Sequence, residues 1–188
     1  RGYKCITLGE FTRHLTAGLG FPERSIVLTF DDGYQNIHSK VFPVLQEYGF
    51  SATVFLIPGL CGRDNHWPGQ PSGIPRMELL TWEQIDEMAR FGIEFGSHTF
   101  NHPRLDQLPE NSLYDEIVLP KEIMENRLGS RVTVFAYPYG RYTKPVKDMV
   151  SQYYEAACST RMGLVKPASD RYALERVEIK YVSHPRVF

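Results

Sequence analysis

Ser25-Ile-Val-Leu-Thr-Phe-Asp-Asp-Gly33 is the stretch from which the architecture is read. An apolar, β-branched run that stops at two carboxylates and a glycine reads as a buried parallel strand delivering acidic side chains into a loop. Downstream, Ile37, Val41, Val44, Leu45 and Tyr48 fall at helical spacing and are closed by Gly49, with Pro43 predicting a kink or break. Ala52 to Ile57 is a second buried strand. Thr81 and Gln84 form a capping box for a helix that turns Trp82, Ile85, Met88 and Ala89 to one side. Ile93 to Ser97 is a strand, and Leu113, Ile117, Met124 and Leu128 outline a helix bent at Pro120 and ended by Gly129. Val132 to Tyr137 is a strand, and Thr143 and Pro145 open the next helix. Ala156 to Ser159 and Arg176 to Val182 are the last expected strands. Such alternation predicts βα units on a parallel sheet, either a barrel or a doubly wound sheet.

Bulk properties narrow the functional classes. The 188 residues, 42% hydrophobic and 23% charged, predict one folded domain over residues 1–188. A start at Arg1 predicts a piece of a longer chain. Lys plus Arg number 21 against 22 Asp plus Glu, so no long-range field favours nucleic acid or an anionic membrane. No apolar run is long enough to span a bilayer. Cys5, Cys61 and Cys158 are odd in number and widely spaced, which predicts buried small hydrophobes rather than a disulfide framework.

Three segments fall just past predicted strand ends, where α/β folds collect their active sites. At the first, the paired carboxylates Asp31 and Asp32 can divide the work of metal ligand and proton acceptor; as a bare motif, Asp-Asp-Gly is also a common turn. At the second, His98 and His102 are four apart, so one helical turn or tight loop aims both imidazoles at one point. Together with one Asp they complete a two-His, one-carboxylate set that leaves coordination positions open. The third, Phe135-Ala-Tyr-Pro-Tyr-Gly140, is a Pro-constrained turn able to offer backbone N–H groups to an oxyanion. The Gly- and Pro-rich stretch 58–75 reads as a rim loop, on which Trp67 either stacks on a sugar ring or packs locally. The acidic run Asp115, Glu116, Glu122 and Glu125 reads as the solvated face of a helix.

Taken in order, the motifs Thr29-Phe-Asp-Asp-Gly33, His98-Thr-Phe-Asn-His102 and Pro138-Tyr-Gly140, with the flanks Leu80-Thr-Trp-Glu-Gln84 and Ile93-Glu-Phe-Gly-Ser97, resemble the NodB-type polysaccharide deacetylases, carbohydrate esterase family 4. The resemblance runs from about Tyr3 to Ile179. It implies a distorted (β/α) barrel with fewer than eight parallel strands, related to the TIM barrel. It further implies a divalent metal on Asp32, His98 and His102, zinc first, with cobalt, nickel and manganese also suited to these ligands. Asp31 would be the base, the Tyr139 backbone N–H would stabilise the oxyanion, and Pro138 and Tyr139 would line the substrate site. The implied reaction is removal of N-acetyl groups, or O-acetyl as a close variant, from a polysaccharide or amino-sugar oligomer, which carries the expectation of an extracytoplasmic location.

Two departures from the family pattern stand out. Ala136 occupies the position of the arginine that pairs with the base, and Arg176 is expected to substitute from a neighbouring strand. No match to the late histidine motif is present. The acid for the leaving amine is therefore either His184 or a residue upstream of Arg1. Alternatives are a catalytically silent sugar-binding domain and a two-His, one-carboxylate iron oxygenase.

Overall fold

The computed structural model describes residues 2–70 and 73–179. Two short parallel strands, β1 (Lys4–Cys5) and β2 (Ser25–Ile26), flank the first helix, α1 (Leu8–Thr16). Thr7 and Glu10 start α1 as a reciprocal capping box. Then come β3 (Thr29–Phe30), α2 (Phe42–Tyr48), β4 (Thr53–Leu56), α3 (Trp82–Arg90) and β5 (Glu94–Ser97). The chain continues through α4 (Leu113–Ile117), α5 (Leu119–Leu128), β6 (Val134–Ala136), α6 (Lys144–Tyr153), β7 (Ala156–Met162) and β8 (Leu174–Arg176). Among the described residues, strands β3 to β8 pair in sequence order, all parallel, as a curled half-barrel sheet of six strands. Of the two parallel arrangements that the alternation allows, the chain adopts the incomplete barrel.

Two apolar layers hold the sheet. Outside it, Leu45, Ile85, Met88, Ile117, Met124, Val146 and Val150 from the helices pack on Val54, Phe95 and Phe135. Inside the curve lie Phe55, Val134, Ala136, Ala156, Cys158 and Leu174, with Leu8 of α1 as a floor. The Leu8 N–H donates to Thr53 Oγ1 and the Gly9 N–H to the Glu94 carboxylate, which seats the start of α1 on the N-terminal ends of β4 and β5. The interior is tight: a Cβ on Gly96 would lie 2.6 Å from the Phe55 ring and 2.9 Å from Val134. Gly96→Ala is therefore expected to destabilise the fold by about 1–3 kcal/mol through overpacking. A urea midpoint equal to that of the native chain would show instead that Phe55 has room to move.

Local differences from the sequence expectation have physical causes. Ser25 to Phe30 is divided between two sheets, because Lys4 and Cys5 pair with its first half and Thr53 and Val54 with its second. Pro43 is accommodated by a widened π turn over Ile37–Val41, which relieves the crowding a proline ring imposes on the carbonyl four residues back. The bend expected at Pro120 falls at Val118, the junction of α4 and α5. The last strand covers Leu174–Arg176; residues 180–182 lie outside the described residues. Among the described residues no helix is long and apolar enough to cross a membrane.

Candidate active site

The C-terminal ends of β3, β5, β6 and β8 deliver the candidate groups to one face. Asp32 adopts a left-handed conformation (φ 70°), which aspartate tolerates better than most residues, and so the chain turns sharply between its two carboxylates. Asp32 Oδ1 lies 3.3 Å from His98 Nε2 and 3.3 Å from His102 Nε2. His98 Nδ1 is 2.7 Å from the Ala136 carbonyl oxygen. A carbonyl only accepts, so Nδ1 carries the hydrogen and the Nε2 lone pair of neutral His98 faces Asp32. His102 is held by rings instead. Its centroid is 4.3 Å from that of Trp67 and 4.7 Å from that of Tyr139, and the Trp67 Nε1–H donates to Tyr139 Oη at 3.1 Å.

These donors suit a divalent cation. Ligands about 2.1 Å from a zinc-like ion stand roughly 3.0 Å apart at octahedral angles and 3.4 Å at tetrahedral ones, and the two 3.3 Å edges at Asp32 fall between. All three ligand atoms lie within 4.8 Å of one another. The electrostatics agree. Burial opposes ionisation of Asp32, yet the two imidazoles hold its carboxyl well below the usual range. Burial also disfavours charge on His98, but hydrogen bonding to Asp32 and the Asp31 and Asp32 charges outweigh it and raise its pKa. For His102 burial prevails and the pKa is lowered, which favours the neutral, ligating form.

Asp31 faces a different partner. Arg176 Nη1 and Nη2 donate to its two carboxylate oxygens at 2.7 Å each, a fork that fixes the carboxylate plane. Arg176 Nε also donates to the Ser159 carbonyl at 3.0 Å, and Nη1 to Thr29 Oγ1 at 3.2 Å. Burial would push the Asp31 carboxyl up, but the hydrogen bonds and charge of Arg176 more than offset it and hold the pKa low. Since β3 and β8 are the two edges of the sheet among the described residues, this pair spans the open seam of the barrel. Ala136 itself contributes a carbonyl, not a side chain.

The third segment forms a one-turn element over Pro138–Gly140 in which Tyr139 is left-handed (φ 57°). The Gly140 N–H donates to the Tyr137 carbonyl and the Arg141 N–H to that of Pro138, so both turn bonds are made without the Tyr139 N–H. Pro138 is buried beneath this turn. Trp67 is not placed as a sugar platform. It is 6% exposed, because its ring packs against His102 and its N–H is bonded to Tyr139, which makes it a wall of the cluster. Glu116, read from the helical pattern as solvated, is buried at 8% exposure and accepts hydrogen bonds from the loop 98–102. Only contact between that loop and α4, which sequence periodicity does not report, buries it. His184 lies outside the described residues.

A curled parallel sheet carrying these groups on its strand ends has a recognised counterpart: residues 19–155 match the family described as Polysaccharide deacetylase, and the chain belongs to that family. It is 32% identical over 179 residues, 95% of its length, to the Bacillus subtilis protein YxkH. It is 30% identical over 184 residues to a protein of Staphylococcus epidermidis named poly-β-1,6-N-acetyl-D-glucosamine N-deacetylase. The chain spans about 60% of the length of these curated relatives. Among solved structures, the Streptococcus pyogenes deacetylase PplD in complex with acetate superposes with a TM-score of 0.82 at 27% identity, over 94% of this chain and 74% of that one. IcaB from Ammonifex degensii superposes with a TM-score of 0.79 at 26% identity, over 94% and 76%.

Proposed function

We propose that this chain is a metal-dependent deacetylase that hydrolyses N-acetyl groups on a polymer or oligomer of N-acetylglucosamine. The observation that carries the reading is the convergence of Asp32 Oδ1, His98 Nε2 and His102 Nε2 beside a second carboxylate, Asp31, gripped by Arg176. The name of the Staphylococcus epidermidis relative supports a β-1,6-linked glucosamine polymer as substrate.

Asp32, His98 and His102 would hold the cation, zinc being the first choice for two imidazoles and a carboxylate. A divalent ion bound there would supply Lewis-acid chemistry for hydrolysis of the acetyl amide, lowering the pKa of water from about 16 toward about 7. Asp31 accepts the proton of the attacking water. Its low pKa keeps it ionised at neutral pH, and Arg176 keeps the carboxylate from rotating onto the histidines. The Tyr139 N–H donates to the carbonyl oxygen as that atom gains negative charge. Trp67 and Tyr139 exclude water from one side of His102 and hold its ring still. A domain that only bound sugar would have no use for a fixed base beside a metal triad, and an oxygenase would need none there.

The test is acetate release from β-1,6-linked N-acetylglucosamine oligomers by the chain after chelation and again after zinc is restored. Release is expected only with metal. Release unaffected by thorough chelation would overturn metal dependence. Binding without release at any metal would favour a silent sugar-binding domain.

A further inference from the structure

The loop bearing both histidines is held from outside the cluster. Thr99 and His102 are left-handed (φ 67° and 62°), a conformation that side chains with a Cβ adopt reluctantly, so a restraint must keep the loop from relaxing. Glu116 of α4 provides it. One carboxylate oxygen, Oε2, accepts the N–H groups of both Phe100 and Asn101 at 2.9 Å, and Oε1 accepts from Asn101 Nδ2 at 2.9 Å. On the other side, the Gly59 N–H donates to the Phe100 carbonyl at 3.1 Å. Within the loop the His102 N–H donates to Thr99 Oγ1 at 2.9 Å. Two consecutive main-chain N–H groups on a single oxygen fix the peptide planes between Thr99 and Asn101. They thereby fix the direction in which His102 leaves the loop relative to His98.

We propose that Glu116 is a positioning residue for the metal site, its carboxylate setting the spacing of His98 and His102 and so the affinity of the triad for a divalent cation. The inference rests on the reading of Asp32, His98 and His102 as metal ligands. Glu116 supplies no ligand atom itself; it acts through the loop, as outer partners of metal ligands do.

Calorimetric titration of zinc into the metal-free chain tests this, with His98→Ala, Glu116→Leu and Glu116→Gln beside the native protein. Leu keeps the volume and removes the acceptors, and the zinc dissociation constant is expected to rise about 10–100-fold. Gln keeps Oε1 for both main-chain N–H groups, and rotation of the Asn101 amide restores the third bond, so affinity within about threefold of native is expected. Thermal unfolding of the metal-free forms separates lost folding from lost affinity. Should the Leu variant fail to fold, Glu116→Asp, one methylene short of the loop, is expected to show the same weakening. Native-like zinc binding by the Leu or Asp variant, while His98→Ala binds none, would overturn the role of Glu116 alone. Equal binding by the native chain and His98→Ala would overturn the metal-site reading and this inference with it.

Discussion

Asp31→Asn is expected to lower kcat for acetate release by about 10²–10⁴, the usual contribution of a positioned base. The substitution preserves shape, and Asp32, His98 and His102 are left intact, so zinc affinity is expected to change little. Asparagine cannot take the proton, and its amide nitrogen faces an Arg176 donor where the native oxygen accepted. The check is single-turnover acetate release with saturating zinc, alongside the zinc dissociation constant. A variant retaining native kcat would remove Asp31 from the role of base. One that lost zinc as well would show that the two carboxylates act together as ligands.

Arg176→Ala combines two effects. The Arg176 and Asp31 side chains are only 18% and 30% exposed, so the pair lies between exposed pairs, at about 0–1 kcal/mol, and buried ones, where removing a partner costs about 3–5 kcal/mol. A loss of about 2–3 kcal/mol is expected at neutral pH. The sign with pH follows from the lowered Asp31 pKa: the stabilisation is present above the unfolded carboxyl pKa and disappears as pH falls through the depressed folded value. Native and variant stabilities should therefore converge in acid. Without the guanidinium, burial raises the Asp31 pKa, and the acid limb of kcat/KM is expected to move to higher pH. Arg176→Lys keeps the charge but loses the fork, so an intermediate position is expected. An acid limb that stayed in place in Arg176→Ala, measured across matched buffers, would dissociate that limb from Asp31.

The alternation of short apolar strands with capped helices was legible because the central strands β4, β5 and β6 are buried on both faces, whereas helices such as α1, α3 and α6 bury one face. The Thr81–Gln84 and Thr143 starts were visible because a cap is local, a side-chain oxygen accepting from an N–H three residues on. The four-residue spacing of His98 and His102 made a common target legible, but not the form of the segment. A tight loop with two left-handed residues, not a helical turn, brings the imidazoles together. Arg176 and Asp31 meet only because the sheet curls far enough to bring its first and last strands together. Glu116 was illegible for a related reason: it is held by hydrogen bonds to the loop 98–102, a contact between distant segments that helical spacing does not report. Trp67 could be read as a platform or as packing, and its N–H bond to Tyr139, 72 residues away, decides for packing.

The Asp31–Arg176 fork joins residues 145 positions apart. Contacts of such sequence separation form late, because the intervening chain must be organised before its ends meet. During synthesis from the N-terminus, Asp31, Asp32, His98 and His102 all emerge well before Arg176. A nascent chain could therefore bring Asp32, His98 and His102 together before Arg176 is available to orient Asp31. The seam between β3 and β8 is thus the place where a chain that includes β8 differs chemically from one that stops short of it.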